Sequence, residues 1–166
     1  MSNDNRLMTD EEFKKLESDC MEVVKALEPV YEEKLDKVRE DIVRVMGYEN
    51  GEGSNIEREI IKCHSALARY SEILVKEKHI FNITKNKYDR FYAQEVDNAK
   101  SNPKMFRTQN ELDGAVIRST KTARAKTFLD SYTEYIDFIE RSIDNIKTKS
   151  YGLRVILDSR KIENGA

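Results

Sequence analysis

Tryptophan is absent from these 166 residues, and only two prolines and six glycines interrupt them. So few breakers exclude a sheet held together by many turns, and a charged fraction of 36% points to long solvated helices instead. No apolar run approaches the roughly 20 residues of a membrane span, so no membrane partner is expected. The opening MSNDNRLMTDEEF also lacks the basic, apolar and small-residue regions of a signal peptide. Cys20 and Cys63 are the only cysteines. Without a CxxC pair they read as reduced thiols of a cytoplasmic protein. Phosphate-cradling glycine motifs are missing, which excludes nucleotide-driven work by the chain itself. Neither histidine has a glutamate three residues before it, which removes the signature of carboxylate di-iron bundles. Cys63 and His64 are adjacent and diverge by about 100° on a helix, so a metal site built with His79 is not expected. Carboxylates are plentiful, but no acid and base pair stands out. The expectation is a binding protein, not an enzyme, with no cofactor, no metal and no catalytic residue.

What is present is charge, unevenly placed. Residues 1–53 carry 8 Lys and Arg against 15 Asp and Glu, whereas residues 54–166 carry 21 against 16. An almost neutral average therefore hides an acidic arm and a basic body. Such asymmetry suits an anionic partner for the body, or two solvated faces with no partner at all.

Helical periodicity organises the whole chain, and the predicted class is all-α. TDEE at 9–12 has capping-box spacing, Thr9 to Glu12. From there Phe13, Leu16, Cys20, Val23, Leu27, Tyr31, Leu35, Val38, Ile42 and Val45 follow at steps of three and four. Pro29 should kink or split this helix, and Gly47 with ENGEGS should end it. Ser54 and Glu57 of SNIE are a second capping box, opening a helix that can run to Asn98. Its apolar stripe is Ile56, Ile60, Leu67, Tyr70, Leu74, Phe81, Tyr88 and Tyr92, widened by Ile73, Ile80 and Phe91. NAKSNPK at 98–104 is a break. A third segment starts near Thr108 and continues through Leu129, Ile136 and Ile146, and TKSYG marks a bend before a short final helix over about 151–162. The expected organisation is an acidic helical arm (1–50), a long helix with a basic, aromatic segment (51–102) and a C-terminal helical oligomerisation region (103–166). Stripes this long suggest coiled-coil-like packing, within or between chains.

The basic, aromatic segment is NITKNKYDRFY, 82–92. Helical geometry puts Lys76, Lys87 and Arg90 along one edge of the aromatic stripe and Lys78 and Lys85 along the other. Lys85 and Lys87 point about 200° apart. Both can contact nucleic acid only if the groove is shared with neighbouring helices or subunits, or if the helix is distorted. A sequence-independent single-strand binder needs cations along a groove and rings on which bases stack. The candidate DNA-binding residues are therefore Lys85, Lys87, Arg90, Lys76, Lys78, Tyr88 and Tyr92. Aromatics at this spacing also suit a core.

KNKYDRFY (85–92) resembles the basic, Asp-and-tyrosine segment of the UvsY recombination mediators of T-even-type phages. The ending KSYGLRVILDSRKIENG (149–165) is similar to that family's C-terminal signature, through Ser150, Tyr151, Leu153, Arg154, Leu157, Asp158, Arg160, Lys161, Ile162 and Gly165. The resemblance covers about residues 54–166. AQEVDNAK departs from it, since the family usually follows its tyrosines with a small residue and glycine.

The resemblance implies a homo-oligomeric ring, of about six or seven subunits, formed through the helical C-terminal region. It also implies single-stranded DNA binding, and help for a RecA-like recombinase in replacing single-strand-binding protein, during phage recombination, repair and replication in an infected host cell. Oligomerisation falls to Ile139, Ile143, Ile146, Tyr151, Leu153, Ile156 and Leu157, because Ile136 through Leu153 offer more apolar stripe than one thin chain can bury. Repetition around a ring would strengthen a modest cationic site by multivalency. The alternative is an elongated helical adaptor that oligomerises and binds protein partners without DNA.

Overall fold

The computed structural model describes residues 10–47, 55–100, 108–163 and 165. These form four helices, α1 (Asp10–Met46), α2 (Ile56–Lys100), α3 (Gln109–Arg118) and α4 (Thr120–Glu163), with no strand among the described residues. Two compact units are built from them. Unit 1 takes the described residues of 1–31 and 80–132, and unit 2 those of 32–79 and 133–166. In each unit α1 and α2 run antiparallel and α4 runs parallel to α1. Lys34 meets Glu77 while Asp41 meets Arg69 in unit 2, and Glu17 meets Lys121 while Glu28 meets Arg124 in unit 1.

The long helices follow a seven-residue repeat. On α2, Ile56, Cys63, Tyr70, Glu77, Thr84 and Phe91 recur every seven positions and all are buried. On α4 the buried series Ala125, Leu129, Tyr132, Ile136, Ile139, Ile143, Ile146, Ser150, Leu153 alternates steps of four and three without a change of phase. A sustained 3.5-residue period keeps one seam toward its neighbours, as in a coiled coil. Several seam positions are polar. This is why an apolar-only reading of α2 selected Tyr88 and Tyr92, which are half-buried, over Phe91, which is 1% exposed.

Three expected boundaries differ. Pro29 does not split α1; it lies on the exposed face, where solvent can satisfy the carbonyl that loses its N–H partner. The third segment is not one helix, because Ser119 adopts an extended conformation (φ −60°, ψ 137°) between α3 and α4. Its hydroxyl accepts from the Thr122 N–H at 3.4 Å and pairs with the Thr122 hydroxyl at 2.7 Å, which starts α4 afresh. The expected short final helix does not exist: α4 runs unbroken through Gly152. Gly152 is exposed and costs about 1 kcal/mol relative to alanine, whereas a break there would lift Lys149, Ser150 and Leu153 off the seam they occupy.

At the start of α2, Asn55 caps: its side chain accepts from the Arg58 N–H at 3.2 Å and its carbonyl from the Glu59 N–H at 3.1 Å. Ser54, like Thr9, the rest of ENGEGS and the break after Lys100, lies outside the described residues. Thr108 caps α3 as expected, accepting from the Glu111 N–H at 3.2 Å.

Candidate nucleic-acid interface

The basic segment lies entirely within α2, so a regular helix sets where each side chain goes. In unit 1, Lys85 and Arg90 are exposed and hold no ion pair among the described residues. Lys87 occupies a half-buried position on the packed side of the helix. There its charge acts on Cys20 of α1, lowering the thiol pKa against the larger upward push of burial. Lys85 and Lys87 thus address opposite faces, as the helical period requires. In unit 2, Lys76 and Lys78 are exposed but paired, with Glu72 at 2.6 Å and Glu140 at 2.5 Å. Both pairs are solvent-exposed and so contribute little energy, which leaves the lysines free to exchange partners.

The two tyrosines stack on each other, ring centroids 6.0 Å apart at 27°. Tyr92 also packs on a small cluster of Val96, Leu112 and Val116, where α3 meets the end of α2. Burial pushes the Tyr88 hydroxyl up to about 12, reinforced by Tyr92 and Asp89. Burial likewise raises Tyr92, helped by Asp113, and raises the Glu95 carboxyl. The phenols are therefore neutral at any physiological pH. Their remaining exposed ring area can serve contact but no acid–base chemistry.

The residues assigned to subunit contact divide into two groups. Ile139, Ile143, Ile146 and Leu153 lie in the chain's own core, because α1 and α2 cover the seam of α4 in unit 2. The apolar surplus expected of them is therefore taken up within one chain. Tyr151 is 70% exposed, Ile156 is exposed and Leu157 half-buried. Sequence reasoning passed over Val155 and Ile162, which are exposed and share a helical stripe with Tyr151. The signal was the offset of 151, 155 and 162 from the buried seam.

The profile of the family described as "Recombination, repair and ssDNA binding protein UvsY" matches residues 54–166. The chain belongs to the UvsY family. The matched range contains the basic segment of α2, α3 and all of α4, while α1 precedes it. Recombination, repair and single-stranded DNA binding are thus the processes its family is defined by. No curated protein matches the chain, and no solved structure does either. No helix among the described residues is long and apolar enough to cross a membrane, nor do their His, Cys, Asp and Glu side chains gather into a group able to hold a metal ion.

Proposed function

We propose that this chain is a recombination mediator. It binds single-stranded DNA and promotes loading of a RecA-like recombinase onto DNA covered by single-strand-binding protein, acting as a ring-like homo-oligomer in the cytoplasm of an infected host cell. The observation that carries the reading is the family match, which spans both the basic segment and the C-terminal helix. Lys85 and Arg90 support it as exposed cations held by no partner among the described residues. Phosphates can engage them without breaking an internal pair. Residues 51–102 supply the DNA contacts. Residues 103–166 supply assembly through the exposed stripe of Tyr151, Val155 and Ile162, a surface that a ring would cover.

The test is binding of a fluorescent single-stranded oligonucleotide across a salt series, with solution mass measured on the same sample. A second step measures recombinase assembly on DNA precoated with single-strand-binding protein, with and without this chain. Salt-weakened, sequence-indifferent binding by an oligomer that speeds filament assembly is the expected result. An oligomer that ignores DNA at low salt would leave the helical adaptor as the better description. Truncation at Ser150 is a poor probe of assembly, since Leu153 belongs to the core. The double variant Tyr151→Asp, Ile162→Asp removes only surface and should lower the solution mass.

A further inference from the structure

Unit 2 holds a groove of about 840 Å³ between the end of α1 and the start of α2, and four cations line it: Arg44, Arg58, Lys62 and Arg69. Three come from one face of α2, because 58, 62, 65 and 69 are separated by steps of four, three and four. Ser65 continues the line with a hydroxyl, and Arg44 faces it from α1. From Arg58 to Arg69 this track is about 16 Å long. None of these residues belongs to the basic segment.

We propose that this groove is a second phosphodiester-binding track for single-stranded DNA. The proposal rests on the DNA-binding reading above and adds a site to it. Shape selects the ligand. A single small anion is held by donors that converge on one point, whereas cations strung along a helix face suit a polymer whose charges repeat. Three of the four are arginines, whose forked guanidinium matches a phosphate's oxygens. The groove also offers apolar surface for sugars or bases, with Ile61 among its lining residues and 64% exposed.

The carboxylates at the site define how it works. Asp41 also lines the groove. It accepts from Arg44 at 2.9 Å, from Arg69 and from the Tyr70 hydroxyl. Lys62 pairs with Glu59 at 2.9 Å, and Glu59 is held in turn by Lys149 at 3.1 Å. Arg58 has no ion-pair partner among the described residues. Phosphate therefore meets Arg58 directly and competes with Asp41 for Arg44, whose side chain is 78% exposed and free to swing. Asp41 acts as an internal competitor that sets the affinity of the track.

The experiment compares three variants of the full chain with the unaltered protein by oligonucleotide anisotropy over a salt series, with helicity and solution mass checked on each. Arg44→Ala, Arg58→Ala removes two exposed cations of the groove. Lys15→Ala, Arg141→Ala removes the same charge from exposed positions elsewhere. Asp41→Asn removes the competitor while its amide oxygen can still accept from Tyr70. The groove pair should flatten the log–log salt dependence by at least about 1.4, two contacts at about 0.7 each. The matched pair should flatten it less, and Asp41→Asn should tighten binding. A groove pair that behaves like the matched pair, while Lys85→Ala, Arg90→Ala loses binding, overturns the track and leaves the family reading intact. If the groove pair loses binding of a fluorescent polyglutamate peptide, measured on the same samples, while oligonucleotide binding is unchanged, the track is overturned as well, in favour of an acidic protein segment. An unaltered protein with no salt-sensitive DNA binding removes both readings together.

Discussion

Among the described residues, unit 1 clusters rings against rings, whereas unit 2 buries charged side chains, Glu59, Glu77 and Lys149, among isoleucines and two tyrosines, Tyr70 and Tyr135. In unit 1, Phe81 stacks on Tyr132 at 6.0 Å, Tyr132 meets Phe128 at 5.6 Å and Tyr31 at 5.9 Å, and Tyr31 donates to the Ser131 carbonyl at 2.8 Å. In unit 2, Ile136, Ile139, Ile143 and Ile146 fill the seam. Beside them the Lys149 ammonium donates to the Val45 and Gly47 carbonyls at 2.7 and 2.9 Å and to Glu59. Rings give a large apolar area with fixed geometry. A buried lysine on the last carbonyls of α1 instead fixes which turn of α4 faces the end of α1, as polar seam residues do in coiled coils. One heptad pattern is thus held in place by two different chemistries.

Removing each device should expose the difference. Phe91→Ala in unit 1 should cost about 3–5 kcal/mol, the range for a buried phenylalanine, as a lower urea midpoint at unchanged slope. A loss under about 1 kcal/mol would mean that the rings around it close the cavity. Lys149→Met in unit 2 should cost about 3 kcal/mol, at the lower end for breaking a buried pair, because Glu59 keeps Lys62. Its signature is pH. The Lys62 hydrogen bond, joined by Lys149 and opposed by burial, holds the Glu59 carboxyl below its usual range. A lowered folded pKa gives stability that is present above the unfolded value, near 4.3, and is lost as pH falls through the folded value. The variant should show a weaker acid limb, and an unchanged one would deny Lys149 a part in holding Glu59.

The same contrast explains what the sequence disclosed. The all-α class, the extent of α2 and the start at Thr108 were legible because glycine, proline and capping residues sit where hydrophobic periodicity stops. The seam was legible where it is apolar, as from Ile136 to Ile146, and hidden where polar residues hold buried positions, Thr84 in unit 1 and Glu59, Glu77, Lys149 and Ser150 in unit 2, which a hydrophobic trace skips. That is why α4 seemed to bend at TKSYG. The helical period alone set Lys85 and Lys87 on opposite faces, but it put Lys87 and Arg90 on one edge and did not show that Lys87 packs inward while Arg90 stays exposed. The groove could not be read, since Arg44 and Arg58 meet only after α1 and α2 pack together. Four of the seven residues given to assembly, Ile139, Ile143, Ile146 and Leu153, lie in the chain's own core, under cover that includes α1, an element outside the family match.

A smaller effect tests the junction that the sequence concealed. Ser119→Ala should cost about 1–2 kcal/mol, an N-cap loss compounded by the fully buried Thr122 hydroxyl. Ser119→Asp keeps an acceptor at the cap and should recover most of it. If alanine is neutral, the break between α3 and α4 is held by something other than this hydroxyl pair.

The finest comparison uses the two thiols, one in each unit and both buried. Burial pushes each above its ordinary value, opposed by Lys87 at Cys20 and by Lys149 at Cys63. Neither is thiolate at neutral pH, so both should react with a disulfide reagent far more slowly than in the unfolded chain. Reaction then reports local opening. Phe91→Ala should accelerate Cys20 more than Cys63, and Lys149→Met should do the reverse. Equal acceleration of both thiols by either variant would show that the units open together, and the two chemistries would then be local details of one cooperative structure. Selective acceleration would mean that each half of α1, α2 and α4 carries its own stability, which leaves the groove of unit 2 free to change without disturbing Lys85 and Arg90.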